Sequence, residues 1–370
     1  MKCKIEQAQY EYWFANVRPL SDLKKYRLRQ EYTSAKDLFY IEEIQLYRYE
    51  YLKVQEILTI IQSRNQWNLE EQYQKMIECG ISFITRMEPE YPQKLREIRI
   101  PPYALYWKGR LPEEDIPAIA IVGARRCSAY GEEMALEFGQ ELAKVGVQII
   151  SGLAQGVDGA ASRGALNVGG ISYGIMGCGV DRCYPREHIG LYMDIQERGG
   201  ILSEQPIGEA PLPAYFPLRN RLISGLADVT LVMEAKEKSG SLITADQALE
   251  QGKDVYALPG PITSALSRGS NALIKQGAGI LLSPKDLLEE LHLICENKMH
   301  NMGHKQGSNK IVLESKENML YSGLGLYPKN IDKLAKEVNL PIQEIMSTLI
   351  SLEIKGYIRE ISKNYYIKIE

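Results

Sequence analysis

The segment DVTLVMEAKEKSGSLITADQALEQGKDVYALPG, residues 228 to 260, predicts the fold class. Both of its ends are apolar runs rich in β-branched residues, of the length typical of strands buried on both faces. Between them, Leu242, Ala245 and Leu249 recur at helical spacing, and Gly252 ends the pattern. A strand, a helix and a strand within about thirty residues form a βαβ unit, whose loop into the helix lies at the carboxyl edge of a parallel sheet. Ligands of such sheets bind at that edge.

The loop that enters this helix carries small residues and a cation. Ser239, Gly240 and Ser241 leave backbone N–H groups accessible to a ligand, and the helix dipole favours an anion there. Lys238 adds a positive charge. An ordinary serine N-cap would give the same pattern, so a binding site requires support from other loops at the same edge.

Two further strands are followed by loops of the same kind. The segment IVGARRCSAYG places Gly123 and Arg125 directly after the first strand. The segment IISGLAQGVDGAA follows the second strand with four small or polar residues, Ser151, Gly152, Gln155 and Gly156. Because the three loops of a parallel sheet open on one edge, together they predict an anion-binding crevice.

A fourth candidate element is the segment YFPLRNRLISGLAD. It predicts a helix with Arg219, Asn220 and Arg221 in its first turns, where the helix dipole disfavours cations. A phosphate bound between the two guanidinium groups would offset that repulsion. Salt bridges to carboxylates such as Glu204 or Glu234 are the alternative explanation of the arginine pair.

Length and composition limit the class of protein. A chain of 370 residues, with 45% hydrophobic and 25% charged residues, predicts a globular protein of two or three domains. The net charge of −3 does not indicate a polyanionic partner, so a nucleic-acid site would have to be a local patch. The sequence shows no signal-peptide core, no apolar run of membrane-spanning length and no CxxC pair among its six cysteines. We therefore expect a cytoplasmic protein without a membrane span, metal or cofactor.

The hydropathy pattern divides the chain into four segments. Residues 1–80 predict a small helical, SAM-like domain, and residues 81–295 predict a Rossmann-like, doubly wound, mostly parallel α/β sheet. Residues 296–310 are polar and aperiodic, which indicates a linker. Residues 311–370 show two amphipathic helices followed by two strand-like runs, the layout of a C-terminal winged-helix domain. The predicted strands of the α/β segment are 118–122, 147–150, 171–176, 200–203, 229–233, 255–258 and 279–282.

The predicted crevice lacks the motifs of common nucleotide-binding and hydrolytic sites. No GxGxxG follows the first strand, and the chain contains neither GxxxxGK[ST] nor a GxSxG elbow. A phosphate-rich polymer bound by several loops fits these residues better than a catalytic site does. The alternative is a nucleotide-binding or nucleoside-monophosphate hydrolase enzyme, although the first glutamate of the 240s helix, Glu250, lies more than two turns from its start.

Seven segments, in order along the chain, resemble the DNA-processing protein family DprA/Smf. They are IVGARRCSAYG, SGLAQGVDGAASRGAL, GIMGCGVDRCYPREH, ILSEQPIG, FPLRNRLISGLAD, VMEAKEKSGSLITADQALEQGKDVYALPGPI and SRGSNALIKQGAGIL. The resemblance implies a non-enzymatic protein that binds single-stranded DNA without sequence preference and acts as a homodimer. It also implies that the protein loads a RecA-type recombinase on incoming DNA during natural transformation. The predicted crevice would then be the DNA site.

Some positions depart from the family pattern. Ser162 stands where the family usually has His, and His188 stands where it usually has Asn, which disfavours chemistry by these side chains. The segment NVRPLSDLKKYRL lacks the glycine hairpin of a DNA-binding helix-hairpin-helix. The expected recognition helix, PIQEIMSTLISLEIKG, carries Glu344 and Glu353 against Lys355. We therefore expect this helix to contact protein rather than duplex DNA. The acidic helix also disfavours a third hypothesis, in which the protein is a winged-helix regulator with a small-molecule sensor domain.

Overall fold

The computed structural model describes residues 2–293, 317, 320, 321, 324, 329–338, 340–355, 357–362 and 365–368. It divides into two compact units, Met1–Asn297 and Lys298–Glu370. The predicted linker, residues 296–310, lies outside the described residues. None of the helices in the described ranges combines the length and the apolar character that crossing a bilayer requires.

The first unit begins with a helical region. Its helices are α1 (Lys2–Ala15), α2 (Asp22–Glu31), α3 (Ala35–Phe39), α4 (Glu43–Leu46), α5 (Val54–Gln66) and α6 (Leu69–Glu78). Trp13 and Leu28 belong to a buried core that also includes Tyr103, a residue beyond the helical region. Tyr103 donates a 3.0 Å hydrogen bond to Glu11, which is ion-paired with Arg29 at 2.8 Å. The helical region thus shares a core with the chain that follows it, and the boundary after residue 80 stays a prediction.

A nine-stranded mixed sheet forms the centre of this unit. Its strands are β1 (Ser82–Thr85), β2 (Ala104–Gly109), β3 (Ala118–Val122), β4 (Gln148–Ser151), β5 (Ser172–Ile175), β6 (Gly200–Ser203), β7 (Val229–Val232), β8 (Asp254–Ala257) and β9 (Gly279–Ile280). The helices are α7 (Gln93–Arg96), α8 (Ala129–Lys144), α9 (Val157–Asn167), α10 (Ile189–Arg198), α11 (Tyr215–Leu226), α12 (Gly240–Glu250), α13 (Arg268–Lys275) and α14 (Pro284–Glu290). Two separate apolar clusters pack on the sheet, one involving α8 and α9 and the other α11 and α12.

The structure confirms the Rossmann-like fold and the seven predicted strands, with small shifts at their ends. Every residue of β3, β4 and β7 is buried, as continuous apolar runs predict. The sequence did not predict β1 and β2, which extend the sheet as antiparallel strands beside β6. Pro101 and Pro102 stand one residue before β2, separated from it by Tyr103, and made this segment resemble a connector.

The order of strands places a topological switch point at the centre of the sheet. The strands lie in the order β1-β2-β6-β5-β4-β3-β7-β8-β9. From β3 the chain winds outward to β6, and it then returns to the other side of β3 with β7. Loops therefore leave β3 and β7 in opposite directions and open a crevice at their carboxyl ends, where ligands of such sheets bind.

The second unit has the winged-helix layout. Its elements are β10 (Lys329–Asn330), α15 (Ile331–Val338), α16 (Ile342–Ile354), β11 (Ile358–Ser362) and β12 (Tyr365–Lys368). The strands form a three-stranded sheet in the order β10-β12-β11. Leu334, Ile345 and Leu349 are buried in its core, so the two amphipathic helices pack as their sequence pattern predicts.

Candidate functional site

Two adjoining cavities open at the carboxyl edge of the sheet. The first cavity has a volume of about 420 Å³ and is bordered by the loops after β3 and β7 and by α11. Seven of the predicted site residues line it: Gly123, Arg125, Arg219, Asn220, Ser239, Gly240 and Ser241. The second cavity, of about 460 Å³, adds Gly152 and Gln155 from the loop after β4 and shares Arg125 and Arg219 with the first. The loops predicted to meet at one edge therefore do meet.

Arg219 is the buried cation between the two cavities. Its Nη1 donates to the carbonyl oxygen of Gly152 at 2.8 Å and to that of Ile175, while its Nε has no hydrogen-bond partner. Burial lowers the pKa of Arg219 to about 10, and the neighbouring Asp158 carboxylate opposes that shift. The guanidinium therefore stays charged at neutral pH, and its buried Nε–H is left without a hydrogen-bond partner among the described residues.

Asp158 is a buried carboxylate next to Arg219 and to the loop after β4. It is 6% exposed, and it accepts a 3.1 Å hydrogen bond from the backbone N–H of Gly152. Burial raises the pKa of Asp158, and the charge of Arg219 acts in the opposite direction. A Cβ atom on Gly152 would lie 2.6 Å from Oδ2 of Asp158 and 2.7 Å from Nη1 of Arg219. Glycine is thus required where the loop contacts this buried pair.

Arg125 supplies an exposed cation to both cavities. Its guanidinium carbon lies 5.3 Å from the ring centroid of Phe216, and that of Arg219 lies 5.9 Å from the same centroid. Phe216 in turn packs on Tyr184, with 5.3 Å between the ring centroids. The rings and guanidinium groups form a surface that offers both positive charge and aromatic faces, which is the combination used to bind single strands.

The start of α12 forms the other wall of the first cavity. Ser239 caps the helix: its Oγ lies 2.7 Å from Oγ of Ser241 and accepts from the Ser241 N–H at 3.4 Å. Asn220 donates a 3.1 Å hydrogen bond to the carbonyl oxygen of Gly240 and so ties α11 to this turn. Lys238 is exposed beside the turn, does not line either cavity, and forms no ion pair with any residue the structure describes.

Three other predicted residues do not line the cavities. Ser151 is buried and donates to the carbonyl oxygen of Ile121 at 2.7 Å. Gly156 has φ +76°, and a Cβ there would lie 2.5 Å from the carbonyl oxygen of Ala124, so it is a turn residue beneath the site.

Arg221 is the third predicted residue that does not line the cavities, and its role is structural. It forms a bidentate ion pair with Glu204 at 2.5 and 2.9 Å, and both side chains are largely buried, at 12% and 10% exposure. The salt-bridge alternative is therefore correct for Arg221, whereas Arg219 lies in the site.

The lining residues that the sequence prediction omitted include two aromatic and two charged ones, Tyr184, Phe216, Arg186 and Asp158. The sequence carries a signal that could have predicted the aromatic members. In RCYPREH and YFPLRNR an aromatic residue stands near arginines, a combination typical of single-strand binding surfaces. His188 contacts the carbonyl oxygen of Leu153 at 3.1 Å through Nδ1 and does not line either cavity.

Family comparison agrees with this architecture. Residues 82–292 match the model of DNA recombination-mediator protein A, and residues 306–362 match the DprA winged helix domain. The Smf protein of Escherichia coli is 39% identical over 279 residues, which cover 74% of this chain and 74% of that protein. The DNA processing protein DprA of Bacillus subtilis is 40% identical over 215 residues, 58% of this chain and 72% of that protein.

Two solved structures share the fold. The DprA of Streptococcus pneumoniae superimposes with a TM-score of 0.67 at 31% identity and covers 76% of this chain and 97% of its own. The DNA processing protein A of Helicobacter pylori, solved to study its single-stranded DNA binding mode, gives a TM-score of 0.53 at 31% identity. That match covers 57% of this chain and 95% of its own.

Proposed function

This chain belongs to the DprA/Smf family of DNA recombination mediators, and from that premise we propose that its two cavities bind single-stranded DNA. The observation that carries the proposal is the meeting of Arg125 and Arg219 around Phe216 at the switch point of the sheet. Guanidinium groups bind phosphates, and the aromatic face accepts any base by stacking. The expected binding is therefore tolerant of sequence and sensitive to salt.

We assign the predicted residues that line the cavities to phosphate contact. Arg125 and Arg219 supply charge, and the turn Ser239–Ser241 supplies serine hydroxyl groups and the backbone N–H of Gly240 at the start of α12. Lys238 is exposed next to that turn and lies where a strand leaving the first cavity could pass. Arg221 is excluded from the assignment because Glu204 already neutralises it.

We infer a binding role rather than catalysis from the carboxylates near the first cavity. Among the described residues that line it, Asp158 is the one acidic residue, and it is already engaged with Gly152 and Arg219. Glu250 ends α12, about 15 Å along the helix axis from its start at Gly240. Neither is placed to activate a water on a phosphate bound at the turn.

We further propose a cytoplasmic homodimer that delivers bound DNA to a RecA-type recombinase, as in the family the sequence resembles. Support for self-association comes from the edge strand β9 and its surroundings, where apolar side chains are exposed. Ile280 is 50% exposed, and Leu282, two residues further along the chain, is 75% exposed. An unpaired edge with such neighbours is suited to pairing with a second copy of the chain.

For the winged-helix unit we propose contact with protein rather than duplex DNA. Ile342, Met346 and Ile350 recur every four residues along one face of α16 and are each about half exposed, at 51%, 47% and 52%. An apolar face of this kind is typical of a protein-binding helix, whereas a helix in the major groove presents basic and amide side chains.

A titration tests the proposed DNA site. Fluorescence anisotropy of a labelled oligothymidylate is measured with the wild type, Lys238→Ala and the control Lys144→Ala, at two salt concentrations. Lys144 lies at the far end of α8 and pairs with Glu141, so its removal changes net charge equally but away from the cavities. We expect Lys238→Ala to lose affinity and about 0.7 of the logarithmic salt slope, and Lys144→Ala to bind as the wild type does. Equal binding by both variants would contradict the role of Lys238.

A further inference from the structure

The second cavity contains groups that phosphate binding in the first cavity does not use. Tyr184 and Phe216 border both cavities, and the loop Tyr184–Glu187 forms the outer rim of the second. Building on the proposed function, we propose that the second cavity is a separate nucleotide subsite of the single-stranded DNA path. Its base stacks on Tyr184, and its phosphate pairs with Arg186.

The position of Tyr184 supports a stacking role. The ring is 38% exposed, and it packs against Phe216 at 5.3 Å between centroids with an angle of 42° between the planes. Phe216 in turn packs closely over Gly177, where a Cβ atom would lie 3.1 Å from its ring. Because Phe216 already supports the Tyr184 ring, a base can stack on its exposed face with little loss of conformational entropy in the side chain.

The charges around the second cavity favour a phosphate. Arg125, Arg186 and Arg219 line it, against the single carboxylate of Glu187. Arg186 is exposed and forms no ion pair with any described residue, and the Nε of the buried Arg219 has no hydrogen-bond partner. The cavity therefore has an excess of positive charge, which Arg125 and Arg186 carry, since the charge of Arg219 is offset by the neighbouring Asp158.

The size and neighbours of the second cavity suit one nucleotide. Its volume of about 460 Å³ lies in the range of small-ligand sites, about 300 to 1,000 Å³. Gln155 is exposed on its wall and carries both a donor and an acceptor, so it can meet different base edges. The first cavity shares Tyr184 and Phe216 with the second, so adjacent nucleotides of one strand can occupy the two cavities.

The test compares two ligands of equal length, an oligothymidylate and a strand of abasic deoxyribose phosphates. The variants are Tyr184→Ala, Tyr184→Leu, Tyr184→Phe and Arg186→Ala in the full chain. We expect Tyr184→Ala and Tyr184→Leu to weaken oligothymidylate binding by about five- to hundredfold, the range for one lost base stack, and to leave abasic binding within about twofold. Tyr184→Phe should bind as the wild type does. Arg186→Ala should lose affinity for both strands and about 0.7 of the salt slope.

Several outcomes would overturn the subsite. They are wild-type affinity of Tyr184→Ala for oligothymidylate, equal losses on both strands, or an unchanged salt slope in Arg186→Ala. Tyr184→Leu keeps an apolar contact with Phe216 without an aromatic face, so it separates stacking from packing. If Arg125→Ala weakens binding while the Tyr184 variants do not, the subsite fails and the proposed function stands. If free thymidine monophosphate competes as well as the strand does, the cavities bind mononucleotides and both proposals fail.

Discussion

Replacement of Arg125 by alanine should reduce both the strength and the salt dependence of single-stranded DNA binding. The Arg125 side chain is exposed, lines both cavities and lies over Phe216, so its guanidinium is free to meet a phosphate. A charge-assisted hydrogen bond at an exposed site is worth about 1.4 kcal/mol, at the weak end of its range, or about tenfold in affinity.

The affinity loss caused by Arg125→Ala should also depend on the salt concentration. Each phosphate neutralised on a single strand contributes about 0.7 to the slope of log affinity against log salt, so a fourfold rise in salt reduces one contact's contribution by about 2.6-fold. The loss caused by Arg125→Ala should therefore fall from about tenfold at about 50 mM salt to about fourfold at about 200 mM. Fluorescence anisotropy titrations at the two concentrations measure both values.

Two controls accompany this variant. Arg163→Ala removes the same charge from the exposed ion pair with Asp194 and does not border the cavities, so it should bind as the wild type does. Arg125→Lys retains the charge and should retain the salt slope. A loss in Arg125→Ala that is the same at both salt concentrations would refute direct contact between Arg125 and a phosphate.

Three further predictions concern stability and its link to the site. Gly152→Ala should lower the melting temperature and weaken DNA binding, because its Cβ would displace the Asp158–Arg219 pair at a cost of about 1–3 kcal/mol. Gly240→Ala is the control, because its Cβ would meet nothing within 4 Å, and it should keep the melting temperature of the wild type. Equal melting temperatures of Gly152→Ala and Gly240→Ala would contradict the prediction. Arg221→Ala should cost about 3–5 kcal/mol in urea unfolding because Glu204 would remain buried and unpaired, and a loss no larger than that of Lys144→Ala would count against it. Burial raises the pKa of Tyr12 and Tyr173 from 10.0 to about 12, so the folded state keeps protons that the unfolded state loses, and stability should fall as pH rises through that interval. Urea unfolding at about pH 11 and pH 12 checks this, because Lys25 and Lys253, whose pKa burial lowers from 10.5 to about 8, are largely deprotonated there in both states, and constant stability would contradict it.

The sequence predicted the sheet well because its central strands are buried on both faces. Runs such as AIAIV at 118–122 must be continuously apolar in that position, and the strand there has the predicted bounds. The antiparallel strand β2 comes shortly after two prolines and ends in Lys108 and Gly109, so its local signal resembles a connector. Its pairing with β6 is a long-range contact, which a local pattern does not encode.

The sequence predicted which loops border the candidate site more accurately than it predicted which way the side chains on them point. Arg219 and Arg221 are two residues apart on a helix, which places them about 200° apart around its axis, so one ligand cannot meet both. Ser151 ends β4, and its side chain points to a carbonyl within the sheet rather than to the edge. Tyr184 joins the site through packing against Phe216, which is distant in sequence and could not be inferred from spacing.

Photo-crosslinking tests the central claim most directly. A single strand substituted with bromodeoxyuridine is bound to the full chain, irradiated and mapped by mass spectrometry of the crosslinked peptides. We predict crosslinks in the peptides that carry Tyr184 and Phe216, and the about fourfold weaker binding of Arg125→Ala at about 200 mM salt should lower the yield of both. Crosslinks confined to the winged-helix unit or to the helices of the first 78 residues would contradict DNA binding at the carboxyl edge of the sheet.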